Sequence, residues 1–104
     1  MRLEVVAAET NANLYFEGKV VSHTVYLASG AKKTLGIIFP GEFYFGTQVA
    51  ERMEITAGTC RVKLKDSEQV TTYTAGQSFE VAAQSGFTIW VERDTCQYVC
   101  SFLA

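Results

Sequence analysis

The chain alternates with a period of two along almost its whole length, and this restricts it to strands. The clearest case is CRVKLK, residues 60–65, which puts Arg61, Lys63 and Lys65 on one solvated face. KVVSHTVYL (19–27), TLGIIF (34–39), EFYFGT (42–47), RMEIT (52–56), QVTTY (69–73), SFEVA (78–82), FTIWVE (87–92) and CQYVCSF (96–102) are also strand-like, rich in β-branched and aromatic residues. SGAKK, PG, AGT, DSE and TAGQ separate them with turn chemistry. Some eight or nine short strands at this spacing predict an all-β sandwich or small barrel. Only residues 3–12 carry a weak helical period. With 104 residues there is material for one core, and no linker or repeat suggests a second.

Charge and composition exclude several classes. The net charge is −2, and nine cations are dispersed among eleven acids, whereas a nucleic-acid binder needs a clustered basic face. No apolar run approaches the ~20 residues of a membrane span, and residues 1–12 lack the sustained apolar core of a secretory signal. The expectation is a soluble cytoplasmic protein with neither nucleic-acid nor membrane partners. Cys60, Cys96 and Cys100 include no C-x-x-C pair. On one strand Cys96 and Cys100 would lie roughly 13 Å apart, too far for a disulfide, which needs Cα atoms within about 7 Å. They are expected as small buried apolar residues of a reducing compartment.

One spacing points to a particular all-β fold. Glu51 is followed by six residues and Gly58, and eighteen residues later Gly76 opens GQSFEVAAQSGF. This resembles the end of the first and the start of the second motif of the cupins, G-x5-H-x-H-x3-4-E-x6-G and G-x5-P-x-G-x2-H-x3-N. Glycines at these places let the chain turn between strands wrapped round a barrel. The metal-ligand positions depart from the pattern: Phe45 and Thr47 stand for the first two histidines, Phe87 for the third, and Ala82 for the proline. Only Glu51 remains. Phenyl rings do not coordinate metals, and the single histidine, His23, lies outside both motifs, so no metal site is expected.

NLYFEGKVVS, KKTLGIIFPGEFYFGT, ERMEITAG, AGQSFEV, SGF and YVCSFL together resemble the small cupins known as pyrimidine/purine nucleoside phosphorylases, from about Asn13 to Leu103. NLYFEG is also close to a tag-protease site, but Glu17 stands where glutamine is required and Ala12 where the leading glutamate would be. The resemblance makes the stretch native. It implies a single-domain jelly-roll β-barrel over residues 13–104 with an N-terminal extension over 1–12. It also implies metal-free, cofactor-free phosphorolysis of purine and pyrimidine nucleosides to base and α-D-ribose 1-phosphate, with inorganic phosphate as co-substrate.

Such chemistry needs donors for phosphate, a hold on the ribose hydroxyls and help for the departing base. Lys32 and Lys33 alternate in facing, and Lys33 with Thr34 is the preferred phosphate group. Glu51 is the candidate for ribose hydroxyls or for stabilising the oxocarbenium-like centre. Arg52 is a possible bidentate phosphate partner, and Ser85 a possible hydroxyl donor. Phe45, Thr47 and Phe87 should line the barrel interior, the two rings stacking a base without reading its edge. Tyr44 and Tyr98 are weighed as donors and left out as packing residues. The competing expectation is a non-catalytic cupin that binds a sugar or nucleoside-like ligand. Either way a homodimer is expected, with residues 15–27 as an edge participant.

Overall fold

The computed structural model describes residues 1–103. Eleven strands form. In the N-terminal half they are β1 (Ala7–Ala8), β2 (Asn13–Tyr15), β3 (Val20–Tyr26), β4 (Lys32–Ile38), β5 (Gly41–Gly46) and β6 (Ala50–Ala57). There follow β7 (Thr59–Leu64), β8 (Val70–Thr74), β9 (Ser78–Val81), β10 (Gly86–Val91) and β11 (Cys96–Leu103). A larger sheet runs β1-β3-β4-β11-β6-β9, with β2 also on β3, and a smaller one runs β5-β10-β7-β8. All pairings are antiparallel. The chain passes between the sheets at Phe39–Pro40 and again after Gly46, as in a jelly roll. The two sheets face each other as an open barrel, with no ladder among the described residues closing them.

The alternation in the sequence becomes the core directly. Val20, Ile38, Phe43, Met53, Ile55, Val62, Phe79, Val81, Phe87 and Ile89 fill the space between the sheets. The tight turn from β6 to β7 needs Gly58, whose φ is +83° and where a Cβ would strike the Thr95 carbonyl. All three cysteines are buried and free. Cys60 sits against Cys96, and that neighbour together with burial pushes the Cys60 thiol well above its ordinary range.

Residues 3–12 do not form a helix. Val6 and Glu9 donate backbone bonds to Tyr26 and Thr24, and Ala7–Ala8 pair with β3. A weak 3.6-residue period loses here to the open edge of β3, which offers unpaired backbone groups. That edge of β3 is taken by β1 and β2. No helix among the described residues is long and apolar enough to cross a membrane.

Candidate functional site

The inner face of the larger sheet carries three cross-strand rows that together make one wall of a cavity. Pairing of β4 with β11 and of β11 with β6 sets them: Cys100 lies opposite Thr34 and Met53, and Phe102 opposite Glu51. Lys32, one alternation from Thr34, extends the Phe102 row, its ammonium 4.8 Å from the Phe102 ring centroid. In the third row Ser22, Gly36 and Tyr98 lie side by side. A Cβ at residue 36 would overlap the Tyr98 ring, so the glycine in TLGIIF is what lets that ring lie across β4 in the row of Ser22. Ser22 is fixed in turn by Asn13 of β2, whose amide donates to Ser22 Oγ at 3.2 Å and to Thr24 Oγ1 at 3.1 Å.

The facing wall is aromatic. Phe45 and Phe87 are direct partners of β5 and β10, and their rings stack at 5.6 Å with 26° between planes. Phe16 packs on Phe45 edge-on at 5.5 Å and on Phe43 at 4.9 Å, and Tyr15 reaches Phe45 at 6.3 Å. Tyr15 and Phe16 remain 46% and 44% exposed, forming a rim. The rim is held by three successive left-handed residues, Phe16 at φ 52°, Glu17 at 58° and Gly18 at 86°; two of them are not glycine, and such backbone costs of order 1–3 kcal/mol each unless packing holds it. The space enclosed between the walls is about 210 Å³, bounded by Tyr15, Thr34, Phe45, Glu51, Phe87 and Tyr98 among others.

Among the described residues Glu51 is the one carboxylate lining this cavity. It is half-buried, and loss of water raises its pKa above the ordinary range, only partly offset by the Cys100 thiol, which donates to its Oε1 at 3.5 Å. Burial and the nearby Glu51 charge push Cys100 up to about 12, and burial holds Tyr98 well above its usual value. The cavity therefore combines the Glu51 carboxyl group with the Cys100 thiol and the hydroxyls of Tyr15, Ser22, Thr34 and Tyr98, and Lys32 stands at its edge.

Of the residues expected from sequence, Thr34, Phe45, Glu51 and Phe87 are brought together. Three of the four positions that carry metal ligands in metal cupins thus do converge, but two of them hold rings. Lys33 is on the other face of β4 from Thr34, because neighbours on a strand point to opposite sides; the lysine on the cavity side is Lys32. Arg52 likewise faces away from Glu51 and pairs with Glu80, Nη2 to Oε2 at 2.9 Å. Thr47 is buried outside the cavity, donating to the Ala82 carbonyl at 2.6 Å and accepting from the Ser85 amide at 3.0 Å. Thr47 and Ser85 thus tie together the loops before β6 and β10. Thr47→Val is expected to cost about 1 kcal/mol or more, roughly 4–8 °C in Tm for a domain of this size, as read by thermal denaturation.

Cys100, Phe102, Ser22 and Tyr15 are wall residues that the sequence does not single out, and Tyr98 and Lys32, the less favoured candidates from sequence, join them. CQYVCSF does place Cys96, Tyr98, Cys100 and Phe102 on one face, but nothing local says that this last strand sits between β4 and β6.

Comparison with known proteins agrees with this geometry. Residues 10–102 match the family described as pyrimidine/purine nucleoside phosphorylase. A protein of that name from Paraburkholderia xenovorans (strain LB400) is 50% identical over 102 residues, covering 98% of this chain and 95% of its own. A crystal structure of a protein of unknown function from Acinetobacter sp. ADP1 superposes with a TM-score of 0.94 at 42% identity, covering 98% of both chains. An oxalate decarboxylase variant from Bacillus subtilis shares the fold at 12% identity, with a TM-score of 0.73 over 98% of this chain and 30% of its own, which makes the architecture cupin-type. With nine-tenths of its length inside the family match, the chain belongs to the pyrimidine/purine nucleoside phosphorylase family.

Proposed function

We propose that the protein is a pentosyltransferase that cleaves both purine and pyrimidine nucleosides with inorganic phosphate, releasing free base and α-D-ribose 1-phosphate without a metal ion. The observation that carries this reading is the half-buried Glu51 carboxylate facing the stacked Phe45–Phe87 pair across one small cavity. The enclosed volume lies below the ~300–1,000 Å³ of pockets that swallow a whole drug-sized ligand. A ribosyl group fits inside, and the base then lies towards the rim, against Phe45 and Tyr15. Ring faces stack on any base without reading its edge, which suits a catalyst that accepts both classes.

In the reaction a phosphate oxygen bonds to C1′ as the C1′–N bond breaks. The electron pair leaves with the base, and the proton carried by hydrogen phosphate ends on the base nitrogen. Positive charge grows on C1′ and the ring oxygen. Glu51 accepts from the ribose hydroxyls and opposes that charge, acting where desolvation makes a carboxylate most effective. Lys32 takes the place expected for Lys33, meeting phosphate at the cavity edge with the Thr34 hydroxyl behind it.

Two lysines one residue apart provide the test. Lys32→Ala is expected to raise the phosphate KM about tenfold, in line with loss of one charge-assisted hydrogen bond, while Lys33→Ala and Arg52→Ala stay near wild type. Initial rates of base release from inosine and uridine against phosphate concentration give the answer. Equal behaviour of Lys32→Ala and Lys33→Ala would remove Lys32 from the site, and base release that ignores phosphate would remove the phosphorylase reading.

A further inference from the structure

We propose that Cys100 is a positioning residue for Glu51: its thiol holds one carboxylate oxygen, leaving the other turned to the ribose. This rests on the phosphorylase reading and goes beyond it, because a buried strand cysteine has no other evident part in the reaction.

The geometry is specific. Cys100 is central in the β4-β11-β6 wall, opposite Thr34 on one side and Met53 on the other, and diagonal to Glu51 across β11 and β6. Its Sγ is 3.5 Å from Glu51 Oε1, within the longer reach of a sulfur donor. Thr34 lies directly opposite Cys100 on the neighbouring strand β4. Thr34, Cys100 and Glu51 thus lie on three adjacent strands of the cavity face, and among the described residues no arginine, lysine or backbone amide hydrogen-bonds Glu51 in place of the thiol; Arg52, the nearest cation in sequence, is engaged with Glu80 on the other side of the sheet.

A thiol is a weak donor. It fixes the direction of the carboxylate without neutralising it, and so spares the charge for the substrate. An arginine there would hold the carboxylate more firmly and consume that charge. The pKa directions agree: burial raises Glu51, and the Cys100 hydrogen bond lowers it somewhat. The other titratable groups facing Glu51 are Tyr98 on β11, Lys32 on β4 and Tyr15 on β2; β9 and β10 present Val81 and Phe87. Burial keeps Tyr98 neutral, and Cys100 at about 12 stays a thiol. Among the side chains facing the cavity, Glu51 is thus the one whose titration enters the acid limb of the rate profile, beside the ionisation of phosphate itself. Activity needs its carboxylate, so the rate rises as pH climbs through its raised pKa.

Cys100→Ser and Cys100→Ala separate positioning from packing. Serine is a stronger donor of nearly the same size, so it should keep kcat close to wild type and move the acid limb to lower pH. Alanine removes the donor, and should lower kcat about tenfold, leave the phosphate KM unchanged and move the limb to higher pH. Packing alone predicts the reverse order, since alanine suits an apolar wall better than a hydroxyl does. Titration of the Glu51 side-chain carboxyl carbon by NMR needs no turnover, and the expected pKa order is Ser, then Cys, then Ala, rising. An unchanged Glu51 titration in Cys100→Ala, or a serine variant slower than the alanine one, overturns the inference. Absence of phosphorolysis in the wild type would instead overturn the function, and the titration would still decide whether the thiol governs Glu51.

Discussion

Replacing Glu51 with glutamine is expected to lower kcat/KM about 10²–10³-fold while leaving the fold intact, the size of effect seen when one preorganised electrostatic contact to a transition state is removed. Glutamine has the shape of glutamate and keeps an oxygen that accepts from the Cys100 thiol, so the cavity wall need not move. What it lacks is charge. The developing oxocarbenium centre loses its counterion, and an amide N–H₂ is turned towards hydroxyls that need an acceptor. The carboxylate is held in a place that costs it hydration, as its raised pKa records, so its neutral replacement should melt at the wild-type temperature or slightly above. Steady-state kinetics beside a thermal melt distinguish the cases. An E51Q protein that melts normally and turns over like wild type would remove Glu51 from the chemistry.

The second large effect belongs to a residue that touches no substrate. Gly36→Ala places a methyl group where the Tyr98 ring lies. That ring is 7% exposed and packed into the core cluster, so it has no room to retreat. Overpacking of this kind costs about 1–3 kcal/mol, and in a domain this small that is a fall in Tm of roughly 4–8 °C for each kcal/mol. Activity should fall with it, because displacing Tyr98 moves a wall of the cavity and disturbs the row next to Cys100. The double variant Gly36→Ala/Tyr98→Ala removes the overlap. Its stability loss should be smaller than the sum of the two single losses by about 0.5–3 kcal/mol, as expected for residues in direct contact. Simple additivity of the two would show that the ring does not depend on Gly36.

The strands themselves were plain in the sequence because the period of two runs through each of them, and the boundaries of β3 to β11 fall within one or two residues of the alternating segments. The short β1 and β2 were missed for a physical reason. Pieces this short carry no pattern, and only the open edge of β3 recruits them. At the site, Glu51, Phe45 and Phe87 were legible because motif spacing fixes which residues of a cupin face inward. Lys33 and Arg52 were misplaced for the same reason: Thr34 and Glu51 are their immediate neighbours, and in a strand adjacent side chains cannot share a face. Thr47 kept its motif position, but its hydroxyl is spent between Ala82 and Ser85. Tyr98, Cys100 and Phe102 could not be placed from local pattern. Their role depends on β11 lying between β4 and β6, a pairing that closes over some sixty residues of chain and is decided by the jelly-roll topology.

The most direct test of the central claim is a phosphorus NMR time course of the purified protein with inosine and inorganic phosphate in the presence of EDTA, with hypoxanthine measured in the same tube. Phosphorolysis gives loss of the phosphate signal, growth of a ribose 1-phosphate signal and one equivalent of hypoxanthine for each, with the E51Q protein slowed in proportion to its kcat/KM. Hypoxanthine without ribose 1-phosphate would make the protein a hydrolase, and no change in either signal would make it a cupin that binds its ligand without turning it over; either result contradicts the account.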